Sequence, residues 1–497
     1  MIIIGTSGST RDAMAALAEG GQLAGACPQE RVTRVRGAGV NPGSRLPDEA
    51  VDLLLERRGR SRADVGRFVA IDDEAPPDES AAGSRARALA CTAYLTSPFS
   101  SAAIVVCDHD RPGVSVWSGS GATVTHEWTW PEARLTDVLM AAASALGLRG
   151  LGGVRRAESL ARLRPRDRDA GVDERLRLEA GGRVVVESTF ERYVAGQVDG
   201  LREVDSPARV RLAAAVQGRI AEFLLALLPE VRTRVDLPRL CLAGSLFDLS
   251  NLNSVVKSSG LFDEVFVPVE PGDSGLAVGA ALDAIGAAPT PVTPFLGPAY
   301  TAQEIKDVLD NCKLHYSWEG EEGAVQAAVR ALREGRLVAW FDGGMEWGPR
   351  ALGGRSILAS PTAPFVLENL NRFLKRREPW RGYALSGLEQ AVAEHFDGPA
   401  RAPFMECDYR PRPGHPFAHV LPAPDADIRV QTVGAEAPWR FRRLLEAMGE
   451  TTGLPFLVNT SFNGFHEPIV CNPRDAVRVF YGTGVDLMVI DQFVLRK

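Results

Sequence analysis

A short apolar strand, Leu337–Phe341, runs directly into Gly343-Gly344-Met345-Glu346-Trp347-Gly348-Pro349-Arg350-Ala351-Leu352-Gly353-Gly354-Arg355-Ser356-Ile357. Strand, glycine-rich loop and arginine-bearing turn are how α/β folds build an anion cradle from backbone N–H groups and guanidinium forks. The glycines let backbone approach a ligand closely. Arg350 and Arg355 cannot lose their charge. A solvated surface turn is the plainer reading of such a loop by itself. Further on, Asn459-Thr460-Ser461-Phe462-Asn463 crowds amides and hydroxyls behind the apolar run Leu454–Val458. Polar residues at a strand's end are typical of ligand sites in α/β proteins. The two segments together predict a site for phosphates and a nucleotide.

Between them, the stretch Asn371–Arg381 holds five cations, Arg372, Lys375, Arg376, Arg377 and Arg381, with aromatics interleaved. A run of this kind is usually a solvated helix face or a nucleic-acid patch. The formal net charge of −7 argues against nucleic acid and against a membrane surface. Convergence on one polyanionic small molecule fits better. Another arginine, Arg429, lies on an expected strand within Asp425–Thr432.

A chain of 497 residues should hold at least two domains. The proline cluster of residues 287–294 is a stiff linker, dividing domains 1–288 and 289–497. Before it, Ile2–Thr6, Gln22–Ala26, Arg67–Ile71, Ala102–Cys107 and Gly113–Ser118 read as strands. Pro47–Arg58, Arg85–Leu95 and the long Pro207–Leu228 read as helices. Strands Leu240–Ala243 and Val265–Val267 follow, which suggests a pair of α/β lobes. After the linker, Thr301–Asn311 is a helix opened by a threonine cap, and Ala324–Glu334 is another. The seven cysteines show no CxxC spacing, so reduced thiols in a cytoplasmic protein are expected. The opening Met1-Ile2-Ile3-Ile4-Gly5 reads as a strand rather than a signal peptide, and no uninterrupted apolar run reaches membrane-spanning length.

From about Pro289 onward these motifs resemble, in order, those of the antibiotic and nodulation-factor O-carbamoyltransferases. The match includes the glycine-rich segment, the basic run, the Arg429 strand, the Asn459–Asn463 segment and the closing Glu467-Pro468-Ile469-Val470-Cys471. The resemblance implies a C-terminal domain like threonylcarbamoyl-adenylate synthase (YrdC-like) that makes carbamoyl adenylate from carbamoyl phosphate and ATP. By the same resemblance Lys375, Arg350 and Arg381 are catalytic. Arg355, Ser356, Arg377, Arg429, Asn459, Ser461 and Asn463 bind ATP or carbamoyl phosphate, with Mg2+ on the triphosphate. Gly344 stands where the family has an arginine, Gly354 where it has an asparagine, and Gly382 where it has a proline.

The first domain also resembles this family, and so the actin-like ATPase fold of the tRNA threonylcarbamoyl transferase branch. Gly272-Asp273-Ser274-Gly275-Leu276-Ala277-Val278-Gly279 and the strand Leu240–Ala243 carry that likeness. Active members bind iron through two histidines one helical turn apart and an aspartate. Here Arg85 and Leu89 stand at the histidine positions, so iron is not expected. Asp12, Asp108, Asp273 and Asn253 survive, and Asp108 with Asp273 is a weak candidate site for a hard cation such as magnesium. His109 beside Asp108 is read as incidental.

The expected product is a carbamoylated small molecule, a natural-product acceptor. Two alternatives stand beside this reading. One is an incomplete subunit working with a complete homologous chain or as a homodimer. The other is a member that kept the adenylating chemistry and changed the final reaction.

Overall fold

The computed structural model describes residues 1–71, 84–109, 111–149 and 152–497. The chain is mixed α/β throughout. Its first sheet has four strands in the order Gln22–Pro28, Met14–Glu19, Ile2–Ser7 and Val65–Ala70. The first three are antiparallel neighbours and Val65–Ala70 runs parallel to Ile2–Ser7. A five-stranded sheet follows, ordered Glu264–Phe266, Arg239–Ala243, Ser101–Asp108, Arg111–Ser120 and Thr123–Trp130. Helices Arg85–Leu95 and Gly275–Ile285 pack on each other beside these sheets. Their contact depends on Gly279, where a Cβ would stand 1.8 Å from the Ala88 carbonyl oxygen.

Most of the expected elements form within a residue or two of their predicted ends. The strand Met14–Glu19 was not anticipated, because Met-Ala-Ala-Leu-Ala-Glu is built from helix formers. Pairing on both sides and near-complete burial decide its conformation. The long helix extends to Pro207–Val235, beyond Leu228. It is long and apolar enough to cross a membrane, yet 67% of its most apolar window is buried inside the protein.

After the linker, a ten-stranded sheet has Val338–Phe341, Arg355–Ala359, Phe456–Ser461, Ala384–Leu388 and Ile428–Val433 as consecutive neighbours near its middle. Helix Ala302–Asn311 opens with a reciprocal cap between Thr301 and Glu304. Among the described residues, the buried side chains of this sheet's core all come from Ile305 onward. Four buried residues of the second half pack into first-half cores among the described residues, and one of them, Trp380, joins Trp130, Leu212 and Leu242. Trp347 is buried in the core of helices Arg85–Leu95 and Gly275–Ile285. Met345 and Cys471 pack with Ile4, Leu17 and Cys27 of the first sheet.

Candidate functional site

The glycine-rich loop lies at the junction of the halves. Arg31, from helix Gln29–Thr33, donates to the carbonyl oxygens of Glu346 and Gly348. Arg34 donates to those of Ile469 (2.6 Å) and Pro468 (2.8 Å). The loop's backbone N–H groups do converge as a cradle, but the anion in it is the chain's own Glu346. Its Oε1 accepts from Leu352 N (2.7 Å), Gly354 N (2.7 Å) and Arg355 N (3.2 Å). Arg355 departs from the expectation as well. Its fully buried guanidinium donates to the carbonyls of Asp342, Gly354, Pro298 and Gly343, and lies 3.5 Å above the Phe341 ring. Ser356 is fully buried, and its Oγ accepts from Gly353 N at 3.1 Å. Arg355 and Ser356 therefore brace the loop, and of their side-chain polar atoms only Arg355 Nε is left without a partner among the described residues. A Cβ on Gly344 would lie 2.2 Å from the Phe295 carbonyl oxygen, so the tight packing here requires a glycine.

The basic run divides. Residues Asn369–Lys375 form a π-helical turn, a form frequent at functional sites. Arg372 and Arg376 face solvent, Arg372 pairing with Glu368 at 3.3 Å. Lys375, Arg377 and Arg381 fold inward. Asn371, only 2% exposed, holds the returning loop: its Nδ2 donates to Pro379 O and Arg381 O. Its Oδ1 accepts from Arg377 Nε and the Tyr383 hydroxyl, both at 2.8 Å. The Lys375 ammonium reaches the end of strand Phe456–Ser461, donating to Ser461 O (2.6 Å) and Asn463 Oδ1 (2.6 Å). Ser461 Oγ also donates to Asn463 Oδ1, at 2.7 Å. Lys375, Ser461 and Asn463 are thus brought together. Asn459 lies deeper, its Nδ2 donating to Ser386 Oγ at 2.9 Å while its buried Oδ1 has no partner.

No carboxylate among the described residues pairs with Lys375 or Arg377. Burial first, then the Arg377 charge, pushes the Lys375 amine down to about 7. The same two causes push Arg381 down to about 10, and burial lowers Arg377.

Arg350 and Arg429 belong to a second cluster, on the face that meets the first domain. Arg429 Nη2 lies 3.2 Å from Glu158 Oε1 and 2.8 Å from Ser250 Oγ. Arg162 ties Glu158 (2.8 Å) to Asp408 (2.9 Å). Arg155 pairs with Asp248 at 2.7 Å. Among the described residues Arg350 makes one hydrogen bond, 3.4 Å to the Asp248 carbonyl, with the Glu158 and Asp248 charges nearby. Burial, then Arg429 and Arg155, pushes its guanidinium down to about 9, still a cation at neutral pH. Helix Gly153–Ala161 borders both clusters, since Arg156 pairs with Glu378 at 2.8 Å. The sequence assigned no role to Arg155, Glu158, Arg162, Ser250 or Asn371. The polar density of residues 155–162 was the available signal. Glu270, nearby and 6% exposed, is pushed up to about 8 by burial and the Asp248 charge.

In the first domain, the expected cation site on Asp108 and Asp273 is shared with an arginine side chain. Arg85 Nε is 2.6 Å from Asp108 Oδ2, and its Nη2 pairs with Asp273 Oδ1. Ser245 N donates to Asp108 Oδ1 at 3.0 Å. Burial would raise the Asp108 carboxyl, but the His109 hydrogen bond and the Arg85 charge hold it far below the usual carboxylate range. Leu89 is fully buried in the core. These residues do not fit an iron centre, because one histidine position supplies a fixed cation and the other a core hydrocarbon. Asp12 pairs with Arg11 at 2.6 Å. Asn253 is a strut, donating to Phe247 O and Glu406 O.

Comparison with known proteins adds the family. Residues 329–497 match the family model described as Carbamoyltransferase C-terminus, and residues 173–282 the one described as Carbamoyltransferase N-terminus. The Synechocystis protein sll1178 is 30% identical over 459 residues, 82% of this chain and 75% of its own length. Nodulation protein NolO of Bradyrhizobium diazoefficiens is 33% identical over 299 residues, 58% of this chain and 54% of its own. Nodulation protein U of Rhizobium tropici is 35% identical over 231 residues, 45% of this chain and 38% of its own. The chain thus spans about half or less of the nodulation proteins it matches. Among solved structures, full-length HypF covers 57% of this chain and 55% of its own at 11% identity and TM-score 0.38. A ROK family glucokinase from Streptomyces griseus covers 56% of this chain and 98% of its own, at 12% identity and TM-score 0.30. With both terminal family models matched in order along an α/β chain, this protein belongs to the carbamoyltransferase family of transferases.

Proposed function

We propose that the chain makes carbamoyl adenylate from carbamoyl phosphate and ATP in its C-terminal half, and passes the carbamoyl group to a small-molecule acceptor. One observation carries this reading. Lys375, Arg377 and Arg350 are half-buried, and no carboxylate among the described residues forms an ion pair with them, although Glu158 and Asp248 lie near Arg350. Buried cations are normally paired, so such a group is electrostatically incomplete until an anion arrives. Carbamoyl phosphate and a nucleotide triphosphate are anions of the right kind, and Mg2+ would enter with the triphosphate.

In this reading, water cleaves carbamoyl phosphate to carbamate and inorganic phosphate, and a carbamate oxygen then attacks the α-phosphorus of ATP as pyrophosphate departs. Carbamate is unstable and weakly nucleophilic, so proximity matters. Lys375, Arg350 and Arg381 would face the reacting phosphates and offset the charge that grows there. Arg377 and Arg429 would hold the remaining phosphate oxygens. Asn459, Ser461 and Asn463 would orient the carbamoyl group or the adenylate. Arg355 and Ser356, once expected among the ligands, would act by keeping the loop rigid.

A second reading has its own support. Arg85 between Asp108 and Asp273 alters the cleft where the family's transfer step is expected. That favours a changed final reaction, or a complete homologous chain that supplies the transfer step. Pyrophosphate release from ATP by the purified chain, with and without carbamoyl phosphate and with no acceptor, is the deciding measurement. Release that requires carbamoyl phosphate supports the adenylating site. Its absence would overturn the first reading and leave the subunit role.

A further inference from the structure

Three possible donor atoms, from Asp108, His109 and Asp273, lie within 4.8 Å of one another, close enough to share one ion. The charge that lies against these carboxylates is a side chain. Arg85 opens helix Arg85–Leu95, Asp108 ends strand Ser101–Asp108, and Asp273 precedes helix Gly275–Ile285. A guanidinium that is 4% exposed joins all three, with Nε on Asp108 and Nη2 on Asp273. The other Asp108 oxygen accepts Ser245 N, which anchors the loop after Gly244. A Cβ on Gly244 would sit 2.1 Å from the Cys107 carbonyl, so this loop is tightly seated on the strand that presents Asp108.

Two carboxylates held together repel unless a cation lies between them. A divalent ion meets that need at a hard-oxygen site. An arginine fork meets it too, with a permanent charge and fixed geometry. Both cannot occupy the place at once, because an ion entering beside the guanidinium meets a like charge at short range.

We propose that Arg85 is a built-in cation that stands where a metal ion would stand, so that the wild-type cleft takes up no divalent ion and loss of the side chain turns it into a metal site. The idea is independent of the adenylating chemistry, because it concerns only the first domain and is read without turnover.

The test compares wild-type chain, Arg85→Ala and Arg85→Ala/Asp108→Asn. Metal content is measured by elemental analysis on each protein as purified; metal is then stripped, and Mn2+ titration is followed by calorimetry and by thermal melting. Wild-type protein should carry no stoichiometric iron or manganese, and its melting temperature should ignore both Mn2+ and chelator. Arg85→Ala should melt lower, bind one Mn2+ at least about a hundredfold more tightly than wild type, and regain stability with Mn2+. The double variant should lose that binding. Arg85→Gln, which keeps much of the side chain's volume, serves the same comparison if the alanine variant does not fold. Stoichiometric metal in wild-type protein, or Mn2+ binding no tighter in either Arg85 variant, would overturn the proposal.

Discussion

The two halves of this molecule treat buried charge in opposite ways. In the first domain two carboxylates are neutralised by the chain itself, through Arg85. In the second, Lys375 and Arg377 turn inward and, among the described residues, meet carbonyls, amide oxygens and an aromatic ring. A site whose charge is balanced internally has little electrostatic reason to capture an ion. One left with excess cation has a strong reason to capture an anion. The glycine-rich loop sides with the first domain, because Glu346 fills the cradle that a phosphate was expected to fill.

The largest effect that bears on this contrast should come from Lys375→Ala combined with Arg350→Ala. Losing two cations from the proposed transition-state surroundings should cut carbamoyl-phosphate-dependent pyrophosphate release by about a thousandfold or more. Unchanged turnover would mean that the open charge serves something else. Next in size is Glu346→Ala, which strands three buried N–H donors. Urea unfolding should show a loss of about 3 kcal/mol or more. Glu346→Gln keeps an acceptor oxygen and should lose clearly less. If phosphate binding improved instead, the cradle would belong to the ligand after all.

Two pH experiments probe each half's electrostatics. The raised Glu270 carboxyl favours the folded state when protonated. Its contribution is full below about 4.5 and lost as pH rises through about 8. Glu270→Gln should therefore raise the melting temperature at pH 8 and flatten its fall between pH 5 and 8. The Lys375 amine is largely neutral at pH 8, with its value pushed down to about 7. A bound polyanion favours the ammonium, so ATP binding at pH 8 should take up close to one proton. Calorimetry in buffers of different ionisation enthalpy reads this directly, and Lys375→Met should abolish it.

The smallest expected effect is at Arg372, from the same basic run. Its pairing with Glu368 is solvent-exposed. Arg372→Ala should change stability by no more than about 0.5 kcal/mol and leave pyrophosphate release as it was. A large loss would mean that the run acts as a unit, which the division between Arg372 and Lys375 argues against.

Much of this was legible in residue order. The strand before Gly343, the cap at Thr301 and the long helix from Pro207 all follow local rules of turn chemistry and apolar spacing. Those rules act over a few residues and so leave a readable trace. Met14–Glu19 left none, since its strand pairing comes from neighbours on either side. Arg85 at a histidine position was also visible, and so was the family, because its motifs are contiguous.

What residue order alone established is the inventory: two α/β halves, a cluster of cations, a pair of aspartates and a glutamate inside a glycine-rich loop. Which charge answers which was settled by the fold. Arg85 turned to Asp108 and Asp273, Glu346 to its own loop's N–H groups, and Arg355 to four backbone carbonyls. Lys375 was left facing Ser461 and Asn463. The reason is physical. The energy of a charge depends on its distance to every other charge and on how much water lies between them, and both are properties of packing in three dimensions.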